Sequence, residues 1–227
     1  MAWRETRAAW RHFLYVLMCV AIGVGAVTGV SLFGNRVELV INQEARSLLG
    51  GDLEIWLTRP ISEHGQMILH SLQEQGVTIT HVTELVAMAA SPVVPSAGHS
   101  TQIVELKAVE PLYPLYGSLD LDPDSKLVSL LNLPPQRCLT PPCYGVVVQE
   151  SLLIRMGLTV GDRIKIGEGW FLITGLVRSE PDRMATIFSL GPRVFLSQEG
   201  LHTTGLIRLG SRLRERYLLK LPTSMSA

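Results

Sequence analysis

Residues 13–33 form an uninterrupted uncharged apolar stretch, and this run constrains the chain more than any other feature. As a helix rising ~1.5 Å per residue, about twenty residues cross the ~30 Å hydrocarbon core of a bilayer. Arg4, Arg7 and Arg11 precede the run. The positive-inside bias therefore predicts a cytoplasmic N-terminus, with everything after about Asn35 on the far side of the membrane. The alternative for such a segment is a cleaved signal peptide, whose apolar centre is only ~7–15 residues long. Here the run is longer, and helical spacing continues beyond it in Val37, Val40, Ile41, Ala45 and Leu48 until Gly50-Gly51 supplies a stop. A retained membrane helix is the expectation. Trp3, Trp10 and Tyr15 suit an aromatic belt near the cytoplasmic boundary, where the three arginines suggest a short amphipathic approach and contact with lipid headgroups.

Ala21, Gly25 and Gly29 are four residues apart within the apolar run. Such a small-residue stripe lets a second helix approach closely, although glycine and alanine are also simply common in membrane helices. No proline interrupts residues 35–49, so the helix is expected to continue from the membrane into a stalk on the order of 55 Å long in total. The expected organisation is a cytoplasmic N-terminus and membrane helix over 1–34, a helical stalk over 35–51 and an external domain over 52–227.

The external part is of ordinary single-domain size. The chain carries 20 basic and 20 acidic residues, so no global field argues for nucleic acid as a partner. Cys19 falls in the membrane helix and reads as a small apolar filler. Cys138 and Cys143 lie in the segment LPPQRCLTPPC, outside the membrane on this topology and thus in an oxidising compartment. A local disulfide is favoured, with two free thiols the alternative. A zinc site lacks any nearby histidine or further cysteine.

The fold class expected for the external part is α+β, a mixed and mostly antiparallel sheet with short helices. Alternation over 52–57 predicts a strand with Leu53, Ile55 and Leu57 on its inner face. Ser62 can cap a helix over 63–75 that Gly76 closes. Residues 77–83, 85–90 and 101–109 read as three strands, the last two joined by SPVVPSAGHS. Residues 111–142 form a Pro-rich loop or subdomain with a helical turn around 125–131. A strand over 145–148, a helix over 150–156 ending at Gly157, and a hairpin of 158–166 and 170–177 follow. Residues 193–196 form a strand, after which Ser197 caps a short helix. In the last segment Arg212, Arg214, Arg216 and Lys220 share one parity and Leu213, Tyr217, Leu219 and Leu221 the other, the pattern of a strand with a solvated basic face.

Catalytic, cofactor and metal signatures are missing. The sequence has no nucleophile elbow, no HExxH pair and no phosphate-binding GxxxxGK[ST] loop, so ATP is not hydrolysed by that route. Asp120, Asp122 and Asp124 superficially resemble a calcium loop, but Ser125 replaces the glycine and Leu131 the bidentate glutamate. Arg178, Glu180, Asp182 and Arg183 could do acid–base work; a charged loop satisfying itself by ion pairs is the expected reading.

The ordered features resemble the permease subunits of ABC transporters of the MacB/FtsX/lipoprotein-releasing superfamily, and among these the large permeases of the YbbA–YbbP type. The basic start running into the helix is followed by ARSLLGGDLEI, which contains Gly50, Gly51 and Asp52. Gly161-Asp162 before a hairpin strand comes next. Then come Glu180-Pro181-Asp182-Arg183, Leu190-Gly191-Pro192-Arg193-Val194, Thr204-Gly205-Leu206 and Gly210-Ser211-Arg212. The resemblance implies a bacterial inner-membrane protein with a periplasmic core domain. It also implies a separate cytoplasmic ATPase, a second permease copy or half, and force passing along the helices to a domain that handles lipophilic or envelope cargo. The sequence departs from the pattern in ending at Ala227 with no second apolar span, as expected for the front portion of such a permease. A single-pass envelope binding or scaffold protein is the alternative.

Overall fold

The computed structural model describes residues 2–92, 100–133, 143–181, 190–208 and 210–222. The chain divides into two compact units, residues 1–45 and 46–227. The first consists of most of α1 (Ala2–Leu49), a single unbroken helix of 48 residues, about 70 Å long at 1.5 Å per residue. Its segment Phe13–Gly34 has a mean hydropathy of 2.3 and every side chain exposed, long and apolar enough to cross a membrane. The Thr28 and Ser31 hydroxyls within it are satisfied inside the helix. Thr28 Oγ1 donates to the Val24 carbonyl at 2.8 Å and Ser31 Oγ to that of Val27 at 2.9 Å.

The second unit is a mixed α+β domain on one nine-stranded sheet. In chain order it holds β1 (Leu53–Leu57), α2 (Glu63–Glu74), β2 (Thr78–Ala90), β3 (Thr101–Val109) and β4 (Asp120–Asp122). Next come α3 (Leu127–Leu131), β5 (Tyr144–Gln149), α4 (Glu150–Met156), β6 (Arg163–Ile166) and β7 (Gly169–Ser179). The domain is completed by β8 (Arg193–Ser197), α5 (Gln198–Thr203) and β9 (Leu213–Lys220). The strand order is β1-β9-β2-β3-β8-β5-β7-β4, and β6 pairs with both β2 and β7. Among the described residues β3–β8 and β5–β7 pair in parallel and the remaining pairs are antiparallel.

Because β6 bridges β2 and β7, the strands β2-β3-β8-β5-β7-β6 close on themselves. Alternation then gives each strand an inward and an outward row. Val104, Leu106, Val146, Val148, Ile164, Ile166, Phe171, Ile173, Val194 and Leu196 fill the interior, and α4 and α5 add Leu152 and Leu201. A second apolar cluster lies on the opposite face, where Tyr113, Leu121, Leu127 and Leu131 cover Val82, Val109, Val147, Phe195 and Leu218. Each fully buried aliphatic or aromatic side chain contributes roughly 1.5–3 kcal/mol.

The local signals act as expected at several ends. Ser62 Oγ accepts from the Gly65 amide at 3.2 Å and Ser197 Oγ from that of Gly200 at 3.1 Å, capping α2 and α5. Gly157 ends α4 in the left-handed region, with φ at +64°. Three expectations need correction. Residues 77–83 and 85–90 are one strand, because Glu84 stays in register opposite Lys107 rather than breaking it. Leu53 and Ile55 do not reach the core: they share the inner-face parity of Leu219 and Tyr217, but β1 is the edge of the sheet and they remain 53% and 39% exposed. The even-numbered face of β9 is not simply solvated. Leu218 is buried there and the Arg216 side chain is only 11% exposed, since β9 lies between β1 and β2 with both faces partly covered.

Candidate functional site

Alternation places Glu54, Glu84, Glu105, Lys107, Arg193, Arg214 and Arg216 on the same outward face of the sheet, beside the second apolar cluster. The registers set opposite charges directly across from each other: Glu84 faces Lys107 and Arg214, and Glu105 faces Arg193. Cross-strand pairs of this kind are the stabilising unit of a sheet. The result is a belt of ion pairs crossing five adjacent strands. Arg216 reaches Glu54 at 2.5 Å and Glu84 at 3.2 Å. Arg193 lies 3.4 Å from Glu84, 3.8 Å from Glu105 and 3.6 Å from Glu180.

Lys107 is the centre of the belt. Its side chain is 0% exposed, and its ammonium pairs with Glu180, itself 4% exposed, just after β7. Lys107 Nζ also donates to Tyr113 Oη at 2.7 Å, and Tyr113 donates on to Glu180 at 3.3 Å. The ammonium lies 4.5 Å from the centroid of the Tyr113 ring and 3.9 Å from Glu84. Removing an ion pair from water costs several kcal/mol per charge, so this centre holds together only with its partners in place.

The segment before β8 is fitted against β3 by backbone proximity. A Cβ on Gly191 would lie 2.3 Å from the Ile103 carbonyl oxygen, closer than any side chain tolerates. The Leu190 amide donates to Glu105 Oε1 at 2.7 Å, and the Glu105 amide donates to the Pro192 carbonyl at 3.0 Å. Gly191 and Pro192 thereby place Arg193 in the belt.

A second feature lies where the chain leaves α1. Gly50 adopts φ +71°, which turns the chain after the helix. A Cβ on Gly51 would meet the Leu219 backbone at 3.1 Å. The Asp52 amide donates to the Leu219 carbonyl at 2.8 Å, and Asp52 Oδ2 accepts from the Leu221 amide at 2.9 Å and from Tyr116 Oη at 2.8 Å. One carboxylate thus ties the segment following α1 to the end of β9 and to the Pro-rich stretch.

On the inward face, His81 pairs with Glu215 and stacks on Tyr217 with ring centroids 4.6 Å apart. Burial first, then the Glu215 and Glu110 carboxylates, push the Tyr217 phenol up to about 12. The groove between Val109, Leu127, Leu131 and Ser197 offers about 10 Å³, too little to hold a small molecule.

The structure unites some of the residues that the sequence singled out and separates others. Glu180 and Arg193, from the EPDR and LGPR strings, meet in the belt. Pro181 follows Glu180 directly, and Asp182 and Arg183 lie outside the described residues. The described members of the charged cluster at the end of β7 find partners beyond it: Arg178 pairs with Asp122 at 2.6 Å and Glu180 with Lys107. Gly210 turns the chain before β9 with φ +91°, Ser211 Oγ donates to the Leu206 carbonyl at 2.8 Å, and Arg212 is exposed. Ala21, Gly25 and Gly29 lie in the exposed apolar stretch of α1, and a Cβ on either glycine would meet nothing within 4 Å. Cys19 is a free thiol, Cys143 is disulfide-bonded, and Cys138 lies outside the described residues. Sequence reading missed Glu54, Glu84, Lys107, Tyr113 and the belt role of Arg216. The available signal was charge inside an otherwise largely apolar strand, once in VTELVAM and twice in IVELKAV.

The family of MacB-like periplasmic core domains matches residues 13–224 of this chain. An uncharacterised ABC transporter permease of Escherichia coli K12, YbbP, is 26% identical over 215 residues, covering 95% of this chain and 24% of its own length. The chain therefore spans about a quarter of that curated relative. A domain of a permease protein from Porphyromonas gingivalis is 18% identical with a TM-score of 0.41, over 69% of this chain and 68% of that one. The periplasmic region of MacB from Actinobacillus actinomycetemcomitans is 14% identical with a TM-score of 0.45, over 80% and 79% of the two chains. With its family match running from the apolar helix to the end of the sheet domain, this chain belongs to the MacB-like periplasmic core domain family.

Proposed function

We propose that this chain is the N-terminal part of an ABC transporter permease. In this reading α1 crosses the inner membrane with its N-terminus in the cytoplasm, and the sheet domain lies in the periplasm. The chain performs no chemistry of its own. A separate cytoplasmic ATPase, acting with a second permease copy or half, supplies movement that α1 carries outward to a domain handling lipophilic or envelope cargo. The Ala21, Gly25 and Gly29 stripe is the face on which another membrane helix packs.

The observation that carries this reading is the continuity of α1. Its 48 residues hold the apolar stretch and then run without a break to Leu49, next to the Gly50–Asp52 junction. A helix transmits displacement along its axis, whereas a flexible linker absorbs it. The Asp52 bonds to Leu219 and Leu221 tie that junction to the last strand, so a push arriving there reaches the sheet.

A four-residue Gly-Ser insertion after Val40, made in the whole permease, tests this. The expected result is loss of the transport phenotype with ATP hydrolysis retained. Full transport by the insertion variant would refute the coupling role.

A further inference from the structure

We propose that the outward face of the sheet carries a docking surface for an anionic lipid bilayer. The cover over Val82, Val109 and Phe195 leaves one end of that face open. Beyond Glu84 the outward row of β2 is bare: Val86 and Met88 are 49% and 62% exposed, and Ile103, across from Met88 on β3, is 47% exposed. An exposed tryptophan flanks this strip on either side, Trp56 on β1 and Trp170 on β7. An arginine lies over each ring, Arg214 at 5.2 Å from the Trp56 centroid and Arg163 at 5.7 Å from that of Trp170. Register places Ala90, Lys165 and Trp170 in one outward row, which carries the strip from β2 through β6 to β7. From Glu84 to Ala90 it runs ~20 Å along β2.

Charge selects the occupant. Glu54, Glu84 and Glu105, the carboxylates of this face, are 19%, 17% and 19% exposed, and each is held by an arginine of the belt. Glu168, in the turn before Trp170, pairs with Arg208 at 2.7 Å. Cations are in excess. Arg163 and Lys165 are exposed and have no carboxylate partner among the described residues, and Arg214 shares Glu84 with three other cations. Tryptophans and aliphatic side chains interleaved with unmatched cations suit a bilayer with negative headgroups. The rings sit at the interface, the aliphatic groups enter it, and each Lys or Arg meets the surface potential. Lys165 argues against a protein partner: it lies within the row, between Ala90 and Trp170, whereas the cores of protein interfaces are depleted in lysine. This lipid contact is additional to the spanning helix and needs neither cargo nor an ATPase.

The test uses the full chain held by α1 in nanodiscs of neutral phosphatidylcholine. Trp3→Phe, Trp10→Phe and Trp56→Phe leave Trp170 as the only tryptophan. Vesicles of brominated phosphatidylcholine are added, with or without an equal share of phosphatidylglycerol. Trp170 emission should be quenched by the anionic vesicles and unchanged by the neutral ones. Arg163→Gln combined with Lys165→Gln should weaken vesicle affinity roughly twentyfold, at about fivefold per cation removed, whereas Arg155→Gln on α4 should leave it unchanged. Equal quenching by both vesicles overturns the proposal, as does a double variant that binds like the parent. The basic N-terminus with Arg4, Arg7 and Arg11 can also attract anionic vesicles, so vesicle flotation without Trp170 quenching assigns the binding elsewhere and overturns it too. A photoactivatable residue at Met88 in native membranes should label lipid; capture of a protein instead overturns the choice of occupant. A chain that does not enter nanodiscs refutes the spanning helix, and the same titration on chain kept soluble by amphipol then decides the docking face independently.

Discussion

Replacing Glu180 with glutamine should be the most damaging isosteric change in the domain. It keeps the shape and removes the carboxylate charge that pairs with the Lys107 ammonium, which is 0% exposed. Glu84 remains 3.9 Å away, too far for a good hydrogen bond and already shared with Arg193 and Arg216. Breaking a buried pair from one side costs about 3–5 kcal/mol. A domain is stable by only ~5–15 kcal/mol, so the loss is a large fraction of the total. For a chain of this size it corresponds to a fall in Tm of roughly 6–20 °C. Lys107→Met should cost less, because Glu180 retains Arg193 at 3.6 Å. The double variant Lys107→Met, Glu180→Leu should recover most of the loss, since both members of the buried pair are then replaced by apolar side chains. The assay is urea denaturation of the full chain in detergent micelles, followed by near-UV circular dichroism. Glu180→Gln within about 1 kcal/mol of the parent would refute the reasoning, as would a double variant no better than Glu180→Gln.

Three further outcomes are expected. Asp52→Ala removes acceptor bonds to Tyr116 and Leu221 from a half-exposed carboxylate and should cost about 1–2 kcal/mol, with faster amide exchange at Leu221; unchanged exchange there would show that the junction is not a clamp. Tyr217 titrates near 10 when unfolded and near 12 when folded, so the stability it contributes is full below pH 10 and lost as the pH rises from about 10 to 12. Urea midpoints across that window should fall, and Tyr217→Phe should flatten the part that belongs to this phenol. We also propose Cys138 as the disulfide partner of Cys143: Cys138→Ser should expose Cys143 to maleimide labelling and cost about 2 kcal/mol, as closing so short a loop contributes little, and an unlabelled Cys143 would exclude the pairing.

Local order determined much of this protein. The apolar run and its helical continuation needed only hydropathy and the absence of proline to specify α1, and the structure has that helix unbroken to Leu49. Caps at Ser62 and Ser197, the left-handed turn at Gly157 and the β6–β7 hairpin were legible because each signal and its response lie within a few residues. The order of short strings pointed to the family and marked Glu180 and Arg193, two members of the belt. Their purpose was not legible. A charge inside a strand says nothing about its partner, and Lys107 pairs with a residue 73 positions away. Glu84 looked like a strand break because its three cationic neighbours on β8 and β9 are invisible locally. That the inner face of β1 stays uncovered was not legible for the same reason. Alternation identifies two faces, but only the strand order decides which one is covered, and β1 falls at the edge. Tertiary structure alone decided which charges meet, because register and strand order are set by long-range pairing that no local window contains.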